Sequence, residues 1–163
     1  MFPIQIRYTD AVRETVEMTA KAARNLSQLR ESQVQYGATP KEEVYREDNI
    51  VLYRYIPRAE KPFKIPLLIV YALVNRPYMV DLQENRSLVR GLLDLGIDVY
   101  LIDWGYPQRN DRFLTIEDHV NGYIDSCVDF LRQRTGLEKI NLLSICQGGT
   151  LSLCYTALHP EKV

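Results

Sequence analysis

The sequence has little of several features that mark specialised classes of protein. Its 163 residues include only three cysteines, Cys127, Cys146 and Cys154, an odd number without the paired spacing of a zinc site. This usage argues against a disulfide-stabilised scaffold and favours a reduced, cytoplasmic protein. The start of the chain lacks the basic and apolar regions of a secretory signal peptide, so we predict no secretion signal.

A charge excess and long apolar runs are also absent. The 20 Lys and Arg residues nearly balance the 21 Asp and Glu residues, and no basic stripe occurs, so nucleic acid is not an expected partner. The longest apolar run, residues 65–74, is too short for a membrane-spanning helix and is rich in β-branched residues. It therefore predicts a buried strand, and we expect no transmembrane segment.

The chain divides into two parts by its sequence pattern. Residues 1–40 contain a stretch of high helical propensity, residues 9–33, followed by a linker with Gly and Pro. The apolar stripe of this helix is thin and rich in alanine, which indicates a peripheral or partner-facing segment. The denser apolar elements follow, so we predict that residues 41–163 form the N-terminal part of a catalytic domain.

Strands and helices alternate in this second part. A strand pair is predicted around Asp48 and Asn49, and three buried strands are predicted within residues 64–74, 98–104 and 139–145. Helices are predicted at residues 84–96, at residues 115–136 and from residue 147 to just before Pro160. The core face of the long helix is expected to comprise Ile116, Val120, Ile124, Cys127 and Leu131. This pattern predicts an α/β fold, a mostly parallel sheet with helices on both faces.

Residues 142–150, "LLSICQGGT", have the pattern of a nucleophile elbow, with cysteine where serine is more usual. The elbow needs small residues two positions before and two after the nucleophile, and Ser144 and Gly148 occupy these positions. Cys146 is thus the predicted nucleophile, at a helix N-terminus whose partial positive charge favours a thiolate. The backbone N–H of Gln147 is expected to bind a tetrahedral oxyanion, and a second N–H is expected from the loop that begins at Val74.

The other cysteines and the two histidines are assigned no catalytic role. Cys127 and Cys154 are predicted to be shielded structural residues. His159 lies at the far end of the helix that follows Cys146, roughly 20 Å along its axis. His119 precedes the nucleophile, whereas the order in this kind of site is nucleophile, acid and then His.

Four stretches carry a resemblance to a known family: "LLIVYALVNRPYMVDLQ", "DVYLIDWGYP", "NGYIDSCVDFLR" and "NLLSICQGGTLSLCYTALH". Together they closely resemble the catalytic subunit of class III polyhydroxyalkanoate synthases, over nearly the whole chain. The family pattern has Gly at position 144, where this chain has Ser. The resemblance implies an α/β-hydrolase-like fold, incomplete at the C-terminus, with Cys146 as nucleophile. It also implies 3-hydroxyacyl-CoA (3-hydroxybutyryl-CoA) as substrate, a separately encoded second subunit as partner, and a location at cytoplasmic polyester granules.

The resemblance further implies that the catalytic Asp and His lie beyond residue 163, so we expect residues 1–163 alone to be inactive. A thiol suits acyl transfer because exchange of one thioester for another conserves the transfer potential of the acyl group. The coenzyme A thioester is the substrate, and no separate cofactor or metal is expected. Two alternatives remain open: a hydrolase of a small ester or lactone, which would release free acid, and a non-catalytic binding module, which would lack a reactive thiol at Cys146.

Overall fold

The computed structural model describes residues 8–28 and 36–163, which belong to two compact units, Met1–Gln35 and Tyr36–Val163. The first unit contains helix α1, Tyr8–Gln28. The predicted helix is confirmed over these residues, while residues 29–33 lie outside the described residues. The side chains of residues 12–24 are exposed, including those of the thin apolar stripe. The functional division into residues 1–40 and 41–163 stays a prediction.

The second unit is built on a five-stranded sheet in the order β1-β2-β6-β3-β7. Its strands are β1 Lys41–Glu47, β2 Ile50–Tyr55, β3 Leu67–Val70, β6 Val99–Asp103 and β7 Asn141–Ser144, and a separate small hairpin contains β4 Asp81–Gln83 and β5 Arg86–Ser87. The sheet is mixed. The pairs β1–β2 and β2–β6 are antiparallel, whereas β6–β3 and β3–β7 are parallel. The predicted strand pair turns at Asp48, which has a positive φ of 47°.

The helices of the second unit are α2 Leu88–Asp94, α3 Asp125–Thr135 and α4 Gln147–Leu158, with a π-helix, Asp118–Ile124, directly before α3. Two 3₁₀ turns, Pro77–Val80 and Arg109–Phe113, lie in the loops that follow β3 and β6. Gly96 and Gly136 come after α2 and α3 with φ of 83° and 70°, a conformation that ends helices at little cost for glycine. None of the described helices is long and apolar enough to cross a membrane.

The two faces of the sheet are covered by two separate hydrophobic clusters, and each cluster includes residues from helices. This arrangement confirms the prediction of helices on both faces. Along β3, Leu68 and Val70 lie in one cluster and Ile69 lies in the other. The first cluster is completed by residues of the π-helix, α3 and α4, and the second by residues of α2 and the first 3₁₀ turn. Strands β3 and β6 are largely apolar because both of their faces are covered, whereas β7, at the edge of the sheet, has no fully buried residue.

Two expectations about the helices were wrong. Ile116 does not belong to the core face, because its side chain is 71% exposed. Ile116 lies in the first turn of the helical segment, directly before the π-helix, whereas Val120 and Ile124, four residues apart within the π-helix, are both buried. The predicted helix at residues 84–96 begins only at Leu88, because Arg86 and Ser87 pair with β4 and the Ser87 hydroxyl accepts a hydrogen bond from the Arg90 N–H.

Candidate active site

Cys146 lies at the turn between β7 and α4, with φ of 58° and ψ of −128°. Among the described residues other than glycine, Asp48 alone shares a positive φ. Such a backbone conformation costs of order 1–3 kcal/mol, so the surrounding structure must hold it in place. The thiol is exposed. A strained turn thus presents an accessible sulfur at the N-terminus of α4, where the helix dipole favours negative charge.

Backbone hydrogen bonds hold this turn against β3. The Ile145 N–H donates to the Val70 carbonyl at 3.1 Å, which extends the pairing of β7 with β3 by one residue. The Gly148 N–H donates to the Ile145 carbonyl at 3.1 Å, and the Gly149 N–H donates to the Cys146 carbonyl at 2.9 Å. The strained residue is therefore fixed on both sides by the sheet and by the first turn of α4.

The two small residues around Cys146 lie against β3. A Cβ on Gly148 would stand 2.1 Å from the Val70 oxygen and 2.8 Å from the Tyr71 oxygen, closer than atoms can approach. Glycine at position 148 is therefore needed for the contact between α4 and β3. Ser144 is half-buried and pairs with Val70 across the parallel ladder. The structure thus places Ser144, Cys146 and Gly148 at one turn, and the catalytic role of Cys146 stays a prediction.

The loop after β3 approaches Gln147, the residue that follows Cys146. The Leu73 N–H donates to the side-chain oxygen Oε1 of Gln147 at 3.2 Å. Val74, the predicted second oxyanion donor, is 84% exposed and follows Leu73 in the same loop. Within the described part of the chain, no hydrogen bond from the Gln147 backbone N–H is found. The contact of Leu73 has no signal in the sequence, because it depends on the path of the loop and on one side-chain rotamer.

Further contacts join the loops that follow β3 and β6. The Trp104 indole N–H donates to the Tyr71 carbonyl at 3.0 Å. The Arg76 guanidinium donates from Nη1 to the Gly105 carbonyl at 2.9 Å and lies 3.2 Å from the centre of the Tyr106 ring. These loops leave the same edge of the sheet as the Cys146 turn, because β3, β6 and β7 are parallel. No local sequence pattern indicates these contacts.

Each histidine ring contacts residues other than Cys146. His119 Nδ1 lies 2.7 Å from the Thr115 oxygen, and the His119 ring packs against Trp104 at 5.6 Å between centroids. His159 Nε2 lies 3.0 Å from Asn121 Oδ1, at the C-cap of α4. The twelve residues of α4 span about 18 Å, so His159 and Cys146 are at opposite ends of that helix. This position agrees with the assignment of no catalytic role to His159.

The other two cysteines differ from each other. Cys127 is fully buried, and burial raises the pKa of its thiol to about 12, with a smaller contribution from the negative charge of Glu47. The prediction that Cys154 is shielded was wrong, because this residue is exposed. The buried side of α4 contains Gly148, Leu151, Ser152 and Tyr155, and position 154 does not face it.

Comparison with known families gives two overlapping matches. The family described as the N-terminus of poly-beta-hydroxybutyrate polymerase (PhaC) matches residues 11–92. The family described as the alpha/beta hydrolase fold matches residues 65–163. The second match includes the whole strand–turn–helix segment around Cys146.

Several curated relatives share half or more of their aligned residues with the chain. A poly(3-hydroxyalkanoate) polymerase subunit PhaC from Synechocystis is 58% identical over 99% of this chain and 44% of its own length. The subunit of the same name from Allochromatium vinosum is 53% identical over 100% of this chain and 47% of its own length. The chain therefore spans about half the length of these relatives.

Solved structures support the fold alone. A probable hydrolytic enzyme from Pseudomonas aeruginosa has a TM-score of 0.55 and 15% identity, over 80% of this chain and 41% of that one. A putative lipase from Sulfolobus solfataricus has a TM-score of 0.53 and 18% identity, over 76% of this chain and 47% of that one. The chain has the sheet and helices of an α/β-hydrolase fold over the part that it spans.

Proposed function

The chain belongs to the poly-beta-hydroxybutyrate polymerase (PhaC) family, and on that premise we propose that it forms part of a poly(3-hydroxyalkanoate) polymerase subunit. This subunit is an acyltransferase that joins 3-hydroxyacyl groups, such as 3-hydroxybutyryl, from coenzyme A thioesters into a polyester. The observation that carries the proposal is the position of Cys146. It is an exposed thiol in a strained turn at the start of α4, in a chain with polymerase relatives.

In the first chemical step, the Cys146 thiolate attacks the carbonyl carbon of the thioester. A bond forms from Sγ to that carbon, the bond from the carbon to the coenzyme A sulfur breaks, and coenzyme A leaves as a thiol after it takes up a proton. The acyl group keeps its transfer potential because one thioester has replaced another. In the second step, a 3-hydroxyl oxygen attacks the acyl carbon of the Cys146 thioester, the bond from that carbon to Sγ breaks, and an oxoester forms. The hydroxyl gives up its proton, and Sγ takes up a proton to regenerate the Cys146 thiol.

The turn supplies part of the stabilisation that these steps need. The Gln147 N–H, at the first turn of α4, has no hydrogen-bond partner among the described residues and is suited to bind the oxyanion that forms at the acyl carbonyl. The second donor belongs to the loop after β3, where the sequence indicates Val74. The catalytic Asp and His belong to the part of the family's length that residues 1–163 do not span. A general base typically contributes about 10²–10⁴-fold, so residues 1–163 alone polymerise poorly.

The partners follow from the same premise. A second synthase subunit binds the catalytic subunit, and α1, with its exposed side chains over residues 12–24, is a candidate surface for that contact. The growing polyester and its granule in the cytoplasm are the product and the site of action. The chemistry requires no cofactor beyond the coenzyme A thioester.

The test uses a full-length subunit that contains these 163 residues, its partner subunit and 3-hydroxybutyryl-CoA. We expect release of coenzyme A together with insoluble polyester, and loss of both in Cys146→Ala. The matched control is Cys127→Ala. This substitution removes a buried thiol, and we expect it to leave the Cys146 turn intact. Coenzyme A release with free 3-hydroxybutyrate and no polymer would instead indicate a hydrolase. Unchanged turnover in Cys146→Ala would refute the assignment of the nucleophile.

A further inference from the structure

The Gln147 side chain has a contact that the proposed reaction leaves unexplained. Its oxygen Oε1 accepts a hydrogen bond from the Leu73 N–H at 3.2 Å, although Gln147 is exposed and could bond to water instead. The contact joins the two regions from which oxyanion donors are expected, the residue after the nucleophile and the loop after β3.

Rigid neighbours on both sides fix this contact. Gly148 touches the carbonyl oxygens of Val70 and Tyr71, so the start of α4 lies directly against the end of β3. Leu73 comes two residues after Tyr71, and its side chain packs against the hydrophobic core. The Leu73 N–H is therefore held towards the Cys146 turn, whereas Val74 is 84% exposed.

The group in front of the Leu73 N–H is itself an amide carbonyl oxygen. In charge and hydrogen bonding it resembles the carbonyl oxygen of an acyl group. An acyl group on Cys146 must place its oxygen near the Gln147 N–H and near a donor of the β3 loop. The Gln147 side-chain oxygen lies at the Leu73 N–H, in the loop that is expected to supply the second of these donors.

We propose that the Leu73 N–H is the second oxyanion donor, and that the Gln147 amide oxygen occupies its place until an acyl group displaces it. This inference rests on the proposed role of Cys146 as nucleophile. Leu73 would contact the reacting oxygen through its backbone, while the Gln147 side chain is a positioning group that competes with that oxygen. A neutral hydrogen bond of 3.2 Å is long, so displacement by a developing negative charge is favourable.

The test compares two reactions of the same thiol in a full-length subunit that contains these residues. Acylation by 3-hydroxybutyryl-CoA passes through an oxyanion and is measured as coenzyme A released in the first turnover, by rapid quench. Alkylation of Cys146 by iodoacetamide is a displacement at a saturated carbon and forms no oxyanion. The ratio of the two rate constants therefore reports the oxyanion donors separately from the reactivity of the thiol.

In Gln147→Ala and Gln147→Met we expect this ratio to rise by about 2- to 10-fold, since a hydrogen bond of ordinary net strength need no longer be broken. In Gln147→Glu we expect a fall of about tenfold or more, because a carboxylate binds the N–H more strongly and repels an oxyanion. An unchanged ratio, or a selective fall in Gln147→Ala, would overturn the competing role of the side chain.

The donor itself is tested by removal of one N–H at a time with proline. Leu73→Pro should lower the ratio by on the order of 10²-fold, the loss typical of one oxyanion donor, and by more than Val74→Pro does. A larger loss in Val74→Pro than in Leu73→Pro assigns the donor to Val74 and overturns the inference. An unchanged ratio in a folded Leu73→Pro variant also overturns it.

If the parent protein is alkylated at Cys146 but never acylated, the proposed function itself has failed, and the inference fails with it. A parent that acylates normally, with the wrong response to these variants, overturns the inference alone.

Discussion

Two exposed cysteines, one at the N-cap of helix α4 and one within it, lie in different environments. Cys146 is at the N-cap with φ of 58°, and the backbone of β3 and the first turn of α4 hold it. Cys154 is two turns further on, in regular helix beside Leu153, which is 75% exposed. Both thiols are accessible, but within the described residues only Cys146 lies next to an unbonded helix N–H, that of Gln147, whose side chain contacts the loop after β3. Accessibility alone therefore does not distinguish the two thiols, whereas backbone geometry and hydrogen-bond donors do.

The two glycines that follow Cys146 show the same contrast. Gly148 touches Val70 and Tyr71, whereas a Cβ on Gly149 would meet nothing within 4 Å. One glycine is fixed by the close approach of α4 to β3, and the other occupies open space. The difference identifies which part of the "QGGT" stretch the site depends on.

The largest expected effect is the loss of polymer formation when serine replaces Cys146, compared with the same replacement at Cys154. Cys146→Ser should lower polymer formation in a full-length subunit by on the order of 10⁴-fold or more, because the proposed nucleophile and the proposed thioester intermediate are both lost. Cys154→Ser should keep polymer formation within about twofold, since Cys154 is solvent-exposed and far along α4. Coenzyme A release and polyester mass are the measurements. A large loss in Cys154→Ser would remove the distinction between the two environments.

The second expected effect is a difference in the free energy of unfolding between alanine variants of the two glycines. Gly148→Ala should lower the free energy of unfolding by about 3 kcal/mol, because the new Cβ overlaps backbone oxygens that cannot move aside without distortion of β3. Gly149→Ala should leave it unchanged or raise it by up to about 1 kcal/mol, as alanine is the better helix former. Urea unfolding followed by circular dichroism measures both. Equal losses in the two variants would contradict the steric account.

The third expected effect is a difference in iodoacetamide labelling between the buried thiol and the two exposed thiols. Burial raises the pKa of Cys127 to about 12 from its ordinary 9.0, so the stability that its neutral form contributes is complete below about pH 9 and is lost as the pH rises through about 12. At pH 9 we expect iodoacetamide to label Cys146 and Cys154 but not Cys127 in the folded protein. In urea all three should be labelled. Peptide mass mapping reads the result, and labelling of Cys127 before Cys146 would show that the fold is described wrongly.

The smallest expected effect is a difference in alkylation rate between the two exposed thiols. The partial positive charge at the start of α4 is worth about 0.3–1 kcal/mol to a thiolate, so Cys146 should be alkylated about 2- to 5-fold faster than Cys154 near neutral pH. The ratio should approach one when the protein is unfolded. High salt should also reduce it, because the dipole is screened. A faster reaction of Cys154 in the folded state would count against the helix-dipole contribution.

Much of the fold could be predicted because the sequence pattern is local. Residues 67–70 and 99–102 are apolar without alternation, which a strand covered on both faces requires. Gly96, Gly136 and Pro160 mark helix ends through their own backbone limits. The same reasoning failed at Ile116, because the spacing of apolar residues does not decide whether the first turn of a helix is covered by its neighbours. It also failed at Cys154, because which side of α4 is covered depends on its neighbours.

The sequence by itself determined the chemistry that is available, a cysteine in a strand–turn–helix segment with glycine two residues later, since this pattern is short and its steric demands are local. Only the tertiary structure decided the strand order β1-β2-β6-β3-β7 and the meeting of Gly148 with Val70. The hydrogen bond from Leu73 to the Gln147 side chain was decided in the same way. These contacts join residues more than 70 positions apart, and their geometry follows from how the sheet and helices pack, which no local pattern specifies.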